Sequence, residues 1–233
     1  MADLLIIGSG GIGQAFAEQS AIRDPETRVL QTKRTQSGDE QIVLDLTDTH
    51  TFQSCIDQLK AVEFNPTRII FSQGLLHTET QRPEKSLREM DLDWMTQVMQ
   101  VNALGPMAFM AQLMRLIPRQ SELQIVFLSA RVGSISDNQL GGWYGYRASK
   151  AALNMLIKTL SIELSRTHPK VQLLALHPGT TDTELSKPFQ ARVPEGKLFS
   201  WTFAASALMD VMEGARGGQS GQFLAWDGSS ISW

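Results

Sequence analysis

The feature that most limits what this chain can become lies in its first thirteen residues. Leu4-Leu5-Ile6-Ile7 is a short, fully apolar run of the kind that forms a strand buried on both faces. It ends in Gly8-Ser9-Gly10-Gly11-Ile12-Gly13, and a helical stretch from Gln14 to Arg23 follows. Gly8, Gly10 and Gly13 fit G-x-G-x-x-G, in which missing side chains let the backbone approach a pyrophosphate while the helix N-terminus offers unpaired N–H groups. Glycines also make tight turns for their own sake, so the motif gains weight only from its place between a strand and a helix.

The same unit recurs. Arg28–Thr32, Gln41–Leu44, Arg68–Phe71, Gln124–Leu128, Val171–Leu176 and Gly221–Trp226 read as further strands, and Leu87–Leu116, Ala148–Leu164 and Trp201–Glu213 read as helices between them. Such alternation in 233 residues predicts the α/β class: a single-domain, Rossmann-type doubly wound parallel sheet of about seven strands, with helices on both faces, covering 1–233. An irregular stretch around 184–200 is a candidate substrate loop. Cys55, the one cysteine, falls in a helix with Phe52, Ile56 and Leu59 that Thr47 or Asp48 would cap, and is expected as a packed thiol. A net charge of -3 argues against nucleic acid, and no apolar run reaches the ~18 residues of a membrane helix. Met1-Ala2-Asp3 carries no basic n-region, so a cytoplasmic protein is expected.

The turn after the second strand reads Lys33-Arg34, basic residues where an acid would select NAD, so NADP(H) is favoured over NAD(H). Asp45-Leu46 and Ser72-Gln73-Gly74 follow the third and fourth strands at the same sheet edge. Tyr146 and Lys150 stand four apart on a helix, so both leave one face, where an ammonium would favour the phenolate and make a proton-transfer pair. By spacing alone the two are also ordinary helix-surface residues. Asn102, close to Gly105-Pro106, reads either as a tolerated polar residue within a helix or as the mark of a kink that frees a backbone carbonyl.

Tyr146-x-x-x-Lys150, the serine-containing end of the fifth strand, the Asn102 helix, Asp45-Leu46 and Pro178-Gly179-x-x-x-Thr183 occur in the order and spacing of the short-chain dehydrogenase/reductase family, which the chain resembles over essentially its whole length. Arg131-Val132-Gly133-Ser134, Pro83-Glu84-Lys85 and Asp227-Gly228 before Trp233 are similar to its C-factor-like branch. The resemblance implies hydride transfer between a nicotinamide and a small carbonyl or alcohol substrate. Tyr146 would be the general acid/base, Lys150 would hold the nicotinamide ribose and acidify Tyr146, and Asn102 would support a proton-relay water. The implied cofactor-binding set is Gly8, Ser9, Gly11, Ile12, Lys33, Arg34, Asp45, Leu46, Ser72, Gln73, Gly74, Tyr146, Lys150, Pro178, Gly179, Thr181 and Thr183, with no metal. A homodimer or homotetramer is also implied, with Met107, Met110, Met114 and Ile117 as interface or, equally, core.

Three departures stand out. The first glycine of the family's loop is shifted to Gly8. The usual Asn-Asn-Ala-Gly is Phe71-Ser72-Gln73-Gly74, losing the side chains that tie neighbouring strands together. The catalytic serine position is Ala130, which has no hydroxyl; Ser129, ahead of Ser134, is the expected substitute. The missing hydroxyl keeps a second reading open, an NADP-binding regulatory or signalling protein with little or no catalysis.

Overall fold

The computed structural model describes residues 3–35 and 42–233. Among these, seven strands form one sheet in which every neighbouring pair is parallel: β1 (Asp3–Ile7), β2 (Arg28–Lys33), β3 (Ile42–Val43), β4 (Pro66–Phe71), β5 (Leu123–Leu128), β6 (Val171–His177) and, at one edge, the last strand of the chain. Gln41, placed in the third strand by its sequence, lies outside the described residues. The spatial order runs β3-β2-β1-β4-β5-β6 and then that last strand. The chain therefore winds outward in one direction from β1 and in the other from β4. Between them lies the switch point, where turns leaving the carboxyl ends of the strands diverge and open a crevice.

Period-two alternation decides which helix each strand residue meets. Leu5, Ile7, Ile125, Phe127, Leu173 and Ala175 pack into one core with Phe52, Cys55, Phe109, Leu113, Leu153 and Ile157. These partners come from α2 (His50–Ala61), α4 (Gly105–Leu113) and α5 (Tyr144–Thr167), α3 being Leu92–Met99. The intervening Leu4, Ile6, Val126, Leu128, Leu174 and Leu176 face Ala15, Phe16, Leu208 and Met212 in α1 (Gly11–Arg23) and α6 (Trp201–Ala215). Burying each large apolar side chain contributes about 1.5–3 kcal/mol relative to exposure, which holds the helices on both faces. Asp3 is the exception in β1: its buried carboxylate takes both guanidinium arms of Arg28 at 2.8 Å and the Asn65 N–H. Cys55 lies in the core, where burial pushes its thiol up to about 12.

Local structure departs from the sequence reading in three places. Leu87–Leu116 is not one helix: a 3-10 turn at Leu87–Glu89 precedes α3, which passes through a π turn, Gln100–Leu104, into α4. There Gly105 N donates to Gln100 O, five residues back, and Pro106 has no N–H to give the Asn102 carbonyl. The stripe of Met107, Met110, Met114 and Ile117 is core packing. α5 begins at Tyr144, four residues before Ala148, whereas α2, which runs from His50, has the expected cap: Asp48 Oδ1 accepts from His50 N at 3.0 Å and Asp48 O from Thr51 N at 3.1 Å. The stretch around 184–200 is partly ordered by β7 (Thr180–Thr181) paired with β8 (Leu198–Phe199) and a 3-10 turn, Lys187–Arg192; β9 (Gln222–Ala225) closes the main sheet.

Candidate active site

The crevice at the switch point is a cleft of about 920 Å³. Its floor at one end is the glycine turn. Gly8 has φ +106°, where a side chain would be strained, and its N–H donates to Thr32 Oγ1. A Cβ on Gly13 would come 2.5 Å from the Gly8 carbonyl oxygen, so α1 can pack this tightly on the turn only without one. A Cβ on Gly10 would meet nothing within 4 Å. Space is left where a phosphate would sit against the N-terminus of α1. Ser72 restores the tie between strands that the altered turn was expected to lose: its hydroxyl donates to Ile7 O at 3.0 Å and its N–H to the same oxygen at 2.9 Å. Gln73 beside it has a buried Oε1 with no hydrogen-bond partner.

At the other end stand Tyr146 and Lys150, side by side on α5 as their spacing predicts. Tyr146 is 8% exposed and Lys150 3%. Lys150 Nζ lies 5.8 Å from the Tyr146 ring centroid and donates to the Leu128 carbonyl at 2.9 Å. The expected acidification of the phenol is not what the surroundings produce. Burial disfavours both charged forms, pushing the Tyr146 phenol above its ordinary range and pulling Lys150 down to about 8. No group among the described residues hydrogen-bonds the phenol hydroxyl.

Asn102 is wholly buried in the π turn and does not line the cleft. Its Oδ1 accepts from Leu75 N at 2.7 Å, and Nδ2 donates to Leu75 O and to Ser149 Oγ, which in turn donates to Tyr146 O. Both amide N–H groups are thus committed, and the side chain ties the loop after β4 to the turn of α5 that carries Tyr146.

Ala130 continues the extended backbone of β5 at φ -146°, ψ 145° and packs in the apolar cluster around Tyr146. Alternation therefore turns Ser129 away: its residue borders the cleft, but its hydroxyl donates to Asn154 Oδ1 at 2.6 Å. Ser134, beyond the cleft, accepts from Asp137 N. Neither hydroxyl is offered to the phenol, contrary to the expectation for Ser129.

Of the other predicted positions, Gly8, Ser9, Gly11, Ile12, Arg34, Asp45, Leu46, Ser72, Gln73, Gly74, Pro178 and Thr183 line the cleft; Lys33, Gly179 and Thr181 do not. β2 runs on to Lys33, so Thr32 and Arg34 share the cleft side and Lys33 falls between them. Gly179, with φ +74°, lies beneath the Phe199 ring, and Thr181 is buried in β7. Residues the sequence left unnoticed include Thr32, Gln97, Val101, Glu184 and Trp201. The Trp201 indole lies against Gly11 at the start of α6, where Ser200 caps Phe203 N. That serine cap ahead of an apolar helix was the available signal. The loop after β7 folds toward Tyr146: His77 donates to Glu184 O at 3.0 Å, and Leu185 and Phe189 join the cluster of Leu76, Trp94, Val98 and Tyr146.

A doubly wound sheet whose glycine turn and Tyr-x-x-x-Lys helix meet in one cleft defines a Rossmann-type protein. Residues 4–194 match the family described as short chain dehydrogenase, and the chain belongs to that family. It is 33% identical over 144 residues to 1-hydroxy-2-glutathionyl-2-methyl-3-butene dehydrogenase of Rhodococcus sp. (strain AD45), a match that covers 62% of this chain and spans 61% of that relative's length. With C-signal of Myxococcus xanthus it shares 30% identity over 148 residues, 64% of this chain and 84% of the other. The crystal structure of NADPH bound carbonyl reductase from chicken fatty liver superposes with a TM-score of 0.82, covering 100% and 99% of the two chains at 22% identity, a likeness of fold.

Proposed function

We propose that the protein is an NADP(H)-dependent oxidoreductase that interconverts a small carbonyl compound and its alcohol. The observation that carries this reading is the placing of the Tyr146 phenol and the Lys150 ammonium on one face of α5, in a cleft whose far end is an open glycine turn. A nicotinamide dinucleotide fits the residues present: Gly10 leaves open space, the α1 N-terminus is ready for the pyrophosphate, and Gln73 Oε1 lacks a partner. When bound, the dinucleotide supplies or accepts the hydride.

The chain's own groups do the rest. In reduction Tyr146 gives its proton to the carbonyl oxygen as the carbon gains the hydride, and in oxidation it takes that proton back. Burial keeps the phenol protonated until then. Lys150 would hold the ribose next to it. Arg34, which lines the cleft just past β2, would take the 2′-phosphate, and Asp45-Leu46, also in the cleft lining, would border the adenine end. The dehydrogenase and reductase names of the relatives agree with this chemistry. The proposal includes a cytoplasmic homodimer or homotetramer that engages neither nucleic acid nor membrane; no helix among the described residues is long and apolar enough to cross one.

Reduction of a panel of carbonyl compounds with NADPH and NADH tests the reading. Turnover with NADPH preferred is expected, and Arg34→Ala should weaken NADPH about 10- to 100-fold, the worth of one charge-assisted phosphate contact, while leaving NADH unchanged. NADH preference in the wild type would refute the cofactor half. Ala130 favours one other reading, a dinucleotide-binding signalling protein, to which the C-signal likeness also points; tight NADPH binding without turnover on any carbonyl would establish it.

A further inference from the structure

The Pro83-Glu84-Lys85 stretch has no part in the chemistry above, yet Glu84 is only 2% exposed. Its carboxylate lies on the start of α5. Gly145 N donates to Glu84 Oε2 at 3.1 Å, and Trp143 N donates to the Glu84 carbonyl. Oε1 is buried and has no hydrogen-bond partner. The helix needs help from outside at this end. Its N-cap residue is Trp143, a non-glycine at φ +54° whose indole makes no capping bond, so the first N–H groups have no local acceptor. A negative group is favoured there by the helix dipole. The fit is close: a Cβ on Gly145 would come 2.9 Å from Oε1, so the carboxylate rests against the backbone one residue before Tyr146.

We propose that Glu84 is the positioning residue of Tyr146, capping α5 from outside the helix and fixing the turn from which the phenol enters the cleft. The assignment rests on the reading of Tyr146 as proton donor. The charged groups around that turn are Lys150 and Arg147 on α5 itself, the Arg147 guanidinium donating to the Gly141, Gly142 and Val132 carbonyls, and Glu84 on the loop before α3; the cluster that surrounds the phenol is apolar.

The chain has two tyrosines, so Tyr144→Phe leaves Tyr146 as the sole phenol, and its ionisation can be followed by tyrosinate absorbance without any turnover. Glu84→Ala should lower kcat about 10- to 100-fold, as a misplaced reacting group does, while KM for the dinucleotide stays within about twofold. In the Tyr144→Phe protein it should also bring Tyr146 ionisation to lower pH, since the loosened turn admits water to a phenol that burial holds up. Glu84→Gln keeps an acceptor for the Gly145 N–H and should restore most of kcat. Gly145→Ala, which pushes the carboxylate aside, should reproduce the loss and add nothing in the Glu84→Ala background. A wild-type kcat with unchanged Tyr146 ionisation in Glu84→Ala would overturn the proposal, as would a loss that Gln does not restore. If the wild type turned over no carbonyl, the reading of function would fall by itself; Tyr146 ionisation in the Glu84→Ala protein would still decide the role of Glu84, upholding it if lowered and sinking it if unmoved.

Discussion

At the glycine turn the backbone is bare, and although the Trp201 indole lies against Gly11, a side chain begun at Gly10 would touch nothing. Around Tyr146 the opposite holds, with Leu76, Trp94, Val98, Trp143, Leu185 and Phe189 packed about a phenol that is almost wholly covered. The first region offers N–H groups and basic side chains to an anion and needs only room. In the proposed reading the second handles protons, and there burial outweighs charge: it drives the phenol up and the amine down, so that neither neighbour can be understood from the other alone. If the proposed function holds, the difference means that dinucleotide binding and proton transfer can be lost separately.

The sharpest way to separate the two ends is Tyr146→Phe. It should lower kcat/KM about 10²- to 10⁴-fold, the range for general acid–base catalysis, with NADPH affinity by fluorescence titration unchanged. Retained turnover would break the division. Ala130→Ser restores a hydroxyl beside the phenol and should raise kcat, by up to about 10²-fold if it reaches the carbonyl oxygen. No gain in steady-state rate would mean that another donor already serves. Gly13→Ala strikes the other end: the added methyl must displace backbone, so melting should show a loss of about 1–3 kcal/mol and NADPH should bind more weakly, with the residual kcat at saturation intact.

The smallest effect comes from pH. Burial lowers Lys150 to about 8, so its ammonium is present below that pH and lost above it. Dinucleotide affinity should therefore fall as pH rises through about 8. Stability moves the other way. Between about 8 and the ordinary lysine value the unfolded chain holds a proton that the folded chain has given up, so this group makes folding more favourable as pH rises across that window. Parallel titrations of affinity and melting temperature between pH 7 and roughly 10 should show opposite slopes, and Lys150→Met should remove both.

Much of the architecture was legible because strands buried on both faces announce themselves as unbroken apolar runs, as in Leu4–Ile7, and glycine turns follow them. Tyr146 and Lys150 were legible because four residues on a helix is a local relation. What escaped depended on distant partners. The start of α5 was missed because its cap comes from Glu84, some sixty residues earlier, while Trp143 carries no local signal. Gly11 and Gly13 stand inside α1 despite their low helix propensity, held by close packing that composition does not reveal. The choice between Lys33 and Arg34 turned on one residue of strand length. Ser129 was favoured for the missing hydroxyl by closeness in sequence, and the extended conformation that persists through Ala130 turns it toward Asn154 instead.

The π turn at Gln100–Leu104 sets a phase relation between two helices. An α-helix advances about 100° per residue, so the extra residue accommodated there offsets α4 from the face that α3 alone would dictate. Removing one residue from the turn would let a regular helix run through and would swing either Asn102 out of reach of Leu75 or Phe109 out of the core. The chain can keep its polar tie and its core together only by carrying that insertion, which makes the length of this segment as binding a constraint as any side chain in the cleft.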